Sequence, residues 1–138
     1  MKKKLNLLTL FIVIGLALAA CSSTSTPKGA AMKSANLLKS GKYEALVDDL
    51  YVDESVQDEK LKAHKAMLVS LLYEKSDEFF KQKGGIKDIQ FISEEIDEYD
   101  ETTAVVLLNY VYGNGDVEQQ RFDMRKDSRG QWKVELKK

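Results

Sequence analysis

The sequence predicts an α+β domain in which N-terminal helices pack on a curved four-stranded antiparallel sheet. Apolar residues recur at helical spacing up to Gly84-Gly85 and at a spacing of two beyond it. Past that junction, two turn signals, Gly113-Asn114-Gly115-Asp116 and Asp127-Ser128-Arg129-Gly130, cut the alternating stretch into hairpin-sized pieces. Helices first and strands afterwards place the sheet on one side and the helices on the other.

Taken in order, the chain opens on Lys2, Lys3 and Lys4 and continues as a charge-free apolar run from Leu5 to Ala20. Its 16 residues fall short of the roughly 20 that a membrane-spanning helix needs. A basic start, a short apolar stretch and a small-residue end describe a signal peptide over residues 1–20. The end reads Leu18-Ala19-Ala20-Cys21. It resembles the lipobox of bacterial lipoproteins: leucine three before the cysteine, with small residues between. The resemblance implies cleavage before Cys21, a diacylglyceryl thioether on its sulfur and N-acylation, by palmitate or a similar chain, of its new amino group. One acyl chain binds a bilayer only marginally, whereas two or three anchor stably. Residues 21–27 read as a polar tether, and residues 28–138 as the folded domain. Ser22 stands where an inner-membrane retention rule for Gram-negative lipoproteins requires Asp. That rule points to the outer membrane, periplasmic side, if the organism has one.

Residues 28–52 read as helical, with Pro27 suited to a first turn and Ser40-Gly41 as a break. Lys42 to Tyr51 gives a second, short helix through Tyr43, Leu46, Val47 and Leu50. The longest helix spans 54–83, capped by Asp53 or Ser55, with Leu61, Leu68, Leu72 and Phe79 as its apolar stripe and Met67 and Leu71 widening it. Ile89, Phe91 and Ser93 then alternate with Asp88, Gln90 and Ile92. Thr102 to Tyr112 is almost wholly apolar, which suits a central strand covered on both faces. Val117 to Lys126 alternates Phe122 and Met124 with Gln119, Arg121, Asp123 and Arg125. Trp132, Val134 and Leu136 form the last strand's apolar side.

The whole chain has a formal net charge of −1. Without Lys2, Lys3 and Lys4, 18 of the 21 basic residues remain against 22 acidic ones, a balance of −4. That argues against nucleic-acid binding, which needs a basic face. Cys21 is the only cysteine, so an exported chain has no internal disulfide and its fold must stand on its core. Lipidation would consume the one thiol.

The order of elements and several local signatures resemble the DUF4878-type lipoproteins of the NTF2-like (cystatin-like) superfamily. The residues that carry the likeness are Cys21, Ser40-Gly41-Lys42-Tyr43-Glu44, Lys83 to Ile89, Ala104-Val105-Val106, Tyr112-Gly113-Asn114-Gly115 and Trp132-Lys133-Val134. The resemblance implies a cone in which a bent sheet wraps a long helix, often leaving a pocket at the open end. It implies no reaction, because such folds host isomerases, adaptors and assembly modules alike.

His64, the only histidine, falls at the edge of the long helix's apolar stripe. It reads either as a base or ligand facing the cone or as a surface histidine, and it has no triad partner. Asp123 and Tyr110 are the nominees to join it in acid/base chemistry. Lys75 interrupts the same stripe, as an anion contact in a pocket or as a lysine whose stem lies along apolar surface. Tyr110, Tyr112 and Trp132, with Tyr73, could line an apolar pocket or fill the core. The acidic run Glu94 to Glu101 lacks the ordered spacing of a calcium loop and reads as a solvated turn. No metal ligand set and no cofactor motif stands out. The expected protein is a membrane-anchored, non-enzymatic module for a small ligand or an envelope partner. A small NTF2-like enzyme and a purely structural envelope component are the alternatives. Homodimerisation through the open sheet face is a further option, for which the polar row Gln119 to Arg125 makes a large dry interface a poor fit.

Overall fold

The computed structural model describes residues 24–53 and 55–136. Three helices, α1 (Pro27–Lys39), α2 (Tyr43–Asp48) and α3 (Asp58–Gln82), precede four strands, β1 (Ile86–Ile96), β2 (Thr103–Tyr112), β3 (Val117–Lys126) and β4 (Trp132–Val134). The strands form one antiparallel meander in the order β1-β2-β3-β4. This is the α+β layout that the change of period at Gly84-Gly85 predicts. Among the described residues no helix is long and apolar enough to cross a membrane.

Helix α1 lies on the sheet. Thr26 caps it, accepting the Gly29 N–H at 3.0 Å, and Pro27 takes the first turn, where no N–H is needed. Its buried side is made of Ala30, Ala31, Ser34 and Ala35. Small side chains let its backbone approach β2, whose Ala104, Val106, Leu108, Tyr110 and Tyr112 point at it. Met124, Trp132 and Val134 complete this core from β3 and β4.

Order begins before residue 28. The Thr24 carbonyl accepts the N–H of Trp132 at 2.8 Å, and the Thr24 hydroxyl bonds the Gln131 side chain. The chain therefore joins the edge of β4 before α1 starts. Cys21 and residues 1–20 lie outside the described residues.

Several expectations are corrected. Helix α2 stops at Asp48 rather than reaching Tyr51, because the Tyr51 N–H turns to the Val134 carbonyl at 2.8 Å. Helix α3 starts at Asp58 with Gln57 before it; neither Asp53 nor Ser55 caps it. Instead Asp53 Oδ1 accepts the Ser55 N–H and turns the chain before the helix. The alternation in β1 breaks at Ile92, where a bulge between Phe91 and Ser93 moves Ser93 opposite Leu107 on the outer face. Strand β2 is not covered on both faces. Its inner residues are buried, while Val105, Leu107 and Val111 stay half-exposed because all the helices lie on the other side.

The largest departure concerns α3. It has no buried residue: Leu61, Leu68, Leu72 and Phe80 are half-buried, while Met67 is 51 % and Phe79 46 % exposed. Its middle rests on α2. The Tyr43 and Tyr73 rings meet edge to face at 4.8 Å, the Tyr73 hydroxyl donates to Glu44 at 2.9 Å, and Lys65 pairs with Asp48 at 3.1 Å. Its C-terminal end touches the sheet through Phe79 and Phe80 against Tyr112.

The junction after α3 is built on glycine. Gly84 and Gly85 adopt φ of +82° and +74°, a region open to glycine at little cost. Gly113 donates to the Gly85 carbonyl and Asn114 to the Lys83 carbonyl, each at 2.9 Å. The backbones approach so closely that a Cβ on Gly113 would overlap the Gly84 carbonyl oxygen. Gly113→Ala should therefore destabilise the domain by about 1–3 kcal/mol, as overpacking against fixed backbone does. The check is the midpoint of urea unfolding, which should fall with an unchanged slope.

Candidate functional site

Helix α3 is held at its middle and at its far end, and beside it runs a groove. The floor is formed by β3, β4 and the chain after β4, and Leu136, 55 % exposed, divides it into two adjoining hollows. The hollow under the C-terminal half of α3 has a volume of about 450 Å³ and is walled by Leu38, Phe79, Phe80, Tyr110, Tyr112 and Phe122. Glu118, Gln120 and Asp123 supply its polar rim. The second, about 490 Å³, lies between α2, the 50–56 segment and the first half of α3, with Val47, Leu50, Val56, Leu61 and Leu68 in its walls. Both volumes suit a small ligand: apolar walls with a few polar groups. A third hollow, about 410 Å³, at the α1–α2 hinge has Ser40, Ser76, Asp77 and Lys81 among its lining and is more polar.

The predicted site residues divide among these places. Tyr110 and Tyr112 are buried and present an edge to the hollow under Phe79. Trp132 lines neither hollow: it is 2 % exposed, in the core, with Lys126 Nζ 5.2 Å from its ring centre. Lys75 projects into solvent outside both hollows. His64 is exposed on the wall of the second hollow, while Asp123 and Tyr110 line the first. The residues nominated for acid/base chemistry therefore do not converge. Among the described residues no group of three His, Cys, Asp or Glu side chains is placed to hold a metal ion.

The cluster of polar side chains at the far end of the groove is one the sequence reading missed. Lys83 Nζ lies 3.2 Å from Glu118 Oε2 and 3.3 Å from Asp116 Oδ2. The Tyr112 hydroxyl donates to Glu118 Oε1 at 2.9 Å. Lys83 also sits 5.1 Å above the Tyr112 ring and 5.6 Å from that of Phe79. The register that places Tyr110 opposite Glu118 across the β2–β3 hairpin brings the two elements together. That pairing could have been read from the Gly113–Asp116 turn. The lysine, fixed by the end of α3, could not.

Three groups of this cluster, Tyr112, Glu118 and Lys83, are shifted by burial and by one another. Tyr112 is pushed well above the ordinary tyrosine range, first by burial and then by its bond to Glu118. Burial does the same to Tyr110. The Tyr112 hydroxyl, with Lys83 behind it, keeps the Glu118 carboxyl below its ordinary value. The Glu118 carboxylate in turn raises Lys83. A group that exchanges protons in catalysis needs a pKa near the working pH. Here each shift runs away from neutrality, so the cluster is a clamp between the end of α3 and the hairpin.

No family model matches the chain, and no curated protein matches it. Among solved structures, the chain is similar to an NTF2-like protein from Campylobacter jejuni provisionally assigned as a transpeptidase. The TM-score is 0.66 and the identity 22 %, over 80 % of this chain and 98 % of that one. It also aligns with a SEC-C motif containing protein from Rhodopseudomonas palustris, at a TM-score of 0.48 and 9 % identity, over 81 % and 77 % of the two chains. The first likeness is one of fold, and it gives this α+β domain an NTF2-like architecture. The DUF4878 resemblance rests on the quoted residues alone.

The clamp has a pH signature. Glu118 titrates lower folded than unfolded, so its contribution is complete above the ordinary 4.5 and lost as pH falls through the lowered value. Lys83 titrates higher folded than unfolded, so its share is complete below 10.5 and lost as pH rises past that. Glu118→Gln should therefore cost stability on a plateau between those limits and cost progressively less in acid. Urea melts of both forms across this range are the check.

Proposed function

We propose that this protein is a membrane-anchored lipoprotein whose NTF2-like domain binds a small apolar ligand, or an apolar segment of an envelope partner, without catalysing a reaction. The observation that carries this reading is the groove beside α3. A helix of 25 residues with no buried side chain leaves apolar walls exposed. Exposed apolar surface of that kind, rimmed by polar groups, marks interaction sites. The lipobox at Leu18–Cys21 supports the anchor, and the single cysteine agrees with it.

An enzymatic reading is favoured only by the name of the Campylobacter jejuni protein. Acyl transfer needs a nucleophile with a base beside it. The one histidine stands exposed in the hollow away from Tyr110 and Asp123, and at the groove's far end neither Tyr112, pushed up by burial, nor Glu118, held down by the Tyr112 hydroxyl, is moved toward neutrality. Binding is the reading that the groove's chemistry supports.

Two measurements test it. The fluorescent apolar probe 8-anilinonaphthalene-1-sulfonate should bind the folded domain and brighten. Phe79→Ser, in the groove wall, should lower that signal several-fold, while Met67→Ser, on the same helix but outside both hollows, should leave it unchanged. Both side chains are about half exposed, and because Phe79 also packs against Tyr112, the urea midpoint of each variant is measured alongside to show that the domain stays folded. Equal binding by wild type and Phe79→Ser would remove the groove from consideration. Mass spectrometry of the membrane fraction should give a mature chain beginning at Cys21 with the added mass of its acyl chains. Cys21→Ser should leave the precursor unprocessed, and an unacylated wild-type chain would refute the anchor.

A further inference from the structure

Thr24 is three residues beyond Cys21, and it is already fixed to the sheet. Its carbonyl accepts the N–H of buried Trp132, its hydroxyl bonds Gln131, and two residues later Thr26 caps α1. Lys28 N–H then donates to Glu94 Oε2 at 2.7 Å, tying the same strand of chain to β1. Three residues of chain reach at most about 11 Å even when fully extended. A lipid on Cys21 therefore cannot suspend the domain at a distance. The headgroup region on each side of a bilayer is itself about 5–7 Å deep. The end of the sheet that holds Thr24 must sit at the headgroups.

That end is specific. It carries the β1–β2 loop, residues 97–102, and the β3–β4 turn, residues 127–131, joined by the bond from Lys126 N–H to the Thr102 carbonyl at 2.8 Å. The loop has a built shape: Asp97 accepts the Tyr99 N–H at 2.7 Å, and Asp100 accepts the Thr102 N–H at 3.0 Å. It lifts Tyr99 clear of the domain, 91 % exposed. A tyrosine ring with an apolar body and a hydroxyl tip is suited to the boundary between headgroups and acyl chains. The acidic side chains around it are repelled by anionic lipid, so tether length and the ring must hold the contact against that repulsion.

We propose that the domain rides with this end on the bilayer, Tyr99 at headgroup level, and the Phe79–Tyr112–Glu118 end of the groove pointing away from the membrane. The proposal rests on lipidation at Cys21, and the experiment separates the two. The full lipidated chain is placed in vesicles of phosphatidylethanolamine and phosphatidylglycerol. Single cysteines, at Tyr99→Cys or Arg129→Cys for the near end and at Lys81→Cys or Asn114→Cys for the far end, carry a fluorophore. All four replaced side chains are exposed, and Cys21 is blocked by its lipid. Headgroup-linked nitroxide should quench the near pair several-fold more than the far pair. A Gly/Ser spacer between Ser23 and Thr24 should erase the difference. A chain that floats with the vesicles but quenches alike at all four positions, or keeps its gradient with the spacer, overturns the orientation while leaving the anchor standing. A chain that does not float overturns both.

Discussion

The close approach of α1 to the inner face of the sheet determines where everything else can go. Four small residues, Ala30, Ala31, Ser34 and Ala35, make up the buried side of α1 that lies on the sheet. Burial of Val106, Leu108, Tyr110 and Tyr112 against that helix removes several large apolar side chains from water at once, each worth on the order of 2 kcal/mol. The helix is short and its end is spent on the Ser40–Lys42 turn. One thirteen-residue helix cannot cover the inner face of four strands. The remaining surface, from Phe122 on β3 to Leu136 beyond β4, needs another partner.

Helix α3 is in position to be that partner and only partly becomes one. Its contacts are concentrated where α2 meets Tyr73 and where Phe79 and Phe80 meet Tyr112. Between those places its side chains are at most half-buried. The clamp of Lys83, Glu118 and Tyr112 stabilises the far attachment without pulling the helix inward, because it acts beyond the last turn. Ion pairs this exposed add little to stability by themselves. Their value is geometric: they fix the angle at which α3 leaves the sheet, and so the width of the groove.

The strands and turns were legible because their signals are local. Gly84-Gly85, Gly113–Asp116 and Asp127–Gly130 mark the junctions whatever surrounds them, and the alternation of β3 is read directly from Phe122 and Met124. The depth of burial was not legible. A run such as Thr102–Tyr112 is equally apolar whether its second face meets a helix or only the side chains beside it, such as the paired Arg121 and Asp123. The stripe Leu61–Leu68–Leu72–Phe79 has the period of a buried helix, yet period says which face is apolar and not what covers it. Ala30, Ala31 and Ala35 read as good helix formers when their importance lies in being small. Trp132 is buried in the core and His64 is exposed on α3, because a residue's type does not tell what the rest of the chain will pack against it.

The two ends of the domain differ in what fixes them, and this gives the groove a direction. At one end backbone hydrogen bonds from Trp132 to Thr24 and from Lys126 to Thr102 draw the start of the fold and both turns together. At the other, side-chain charges join the end of α3 to the hairpin. Backbone bonds within a sheet edge do not respond to pH, whereas the charged clamp loses strength in acid and in strong base. In strong base loosening would therefore begin at the clamped end, where Phe79 and Tyr112 wall the groove; in acid the opposite end weakens as well, because Asp100, held below its ordinary value by the bonds it accepts from Thr102, shapes the β1–β2 loop there.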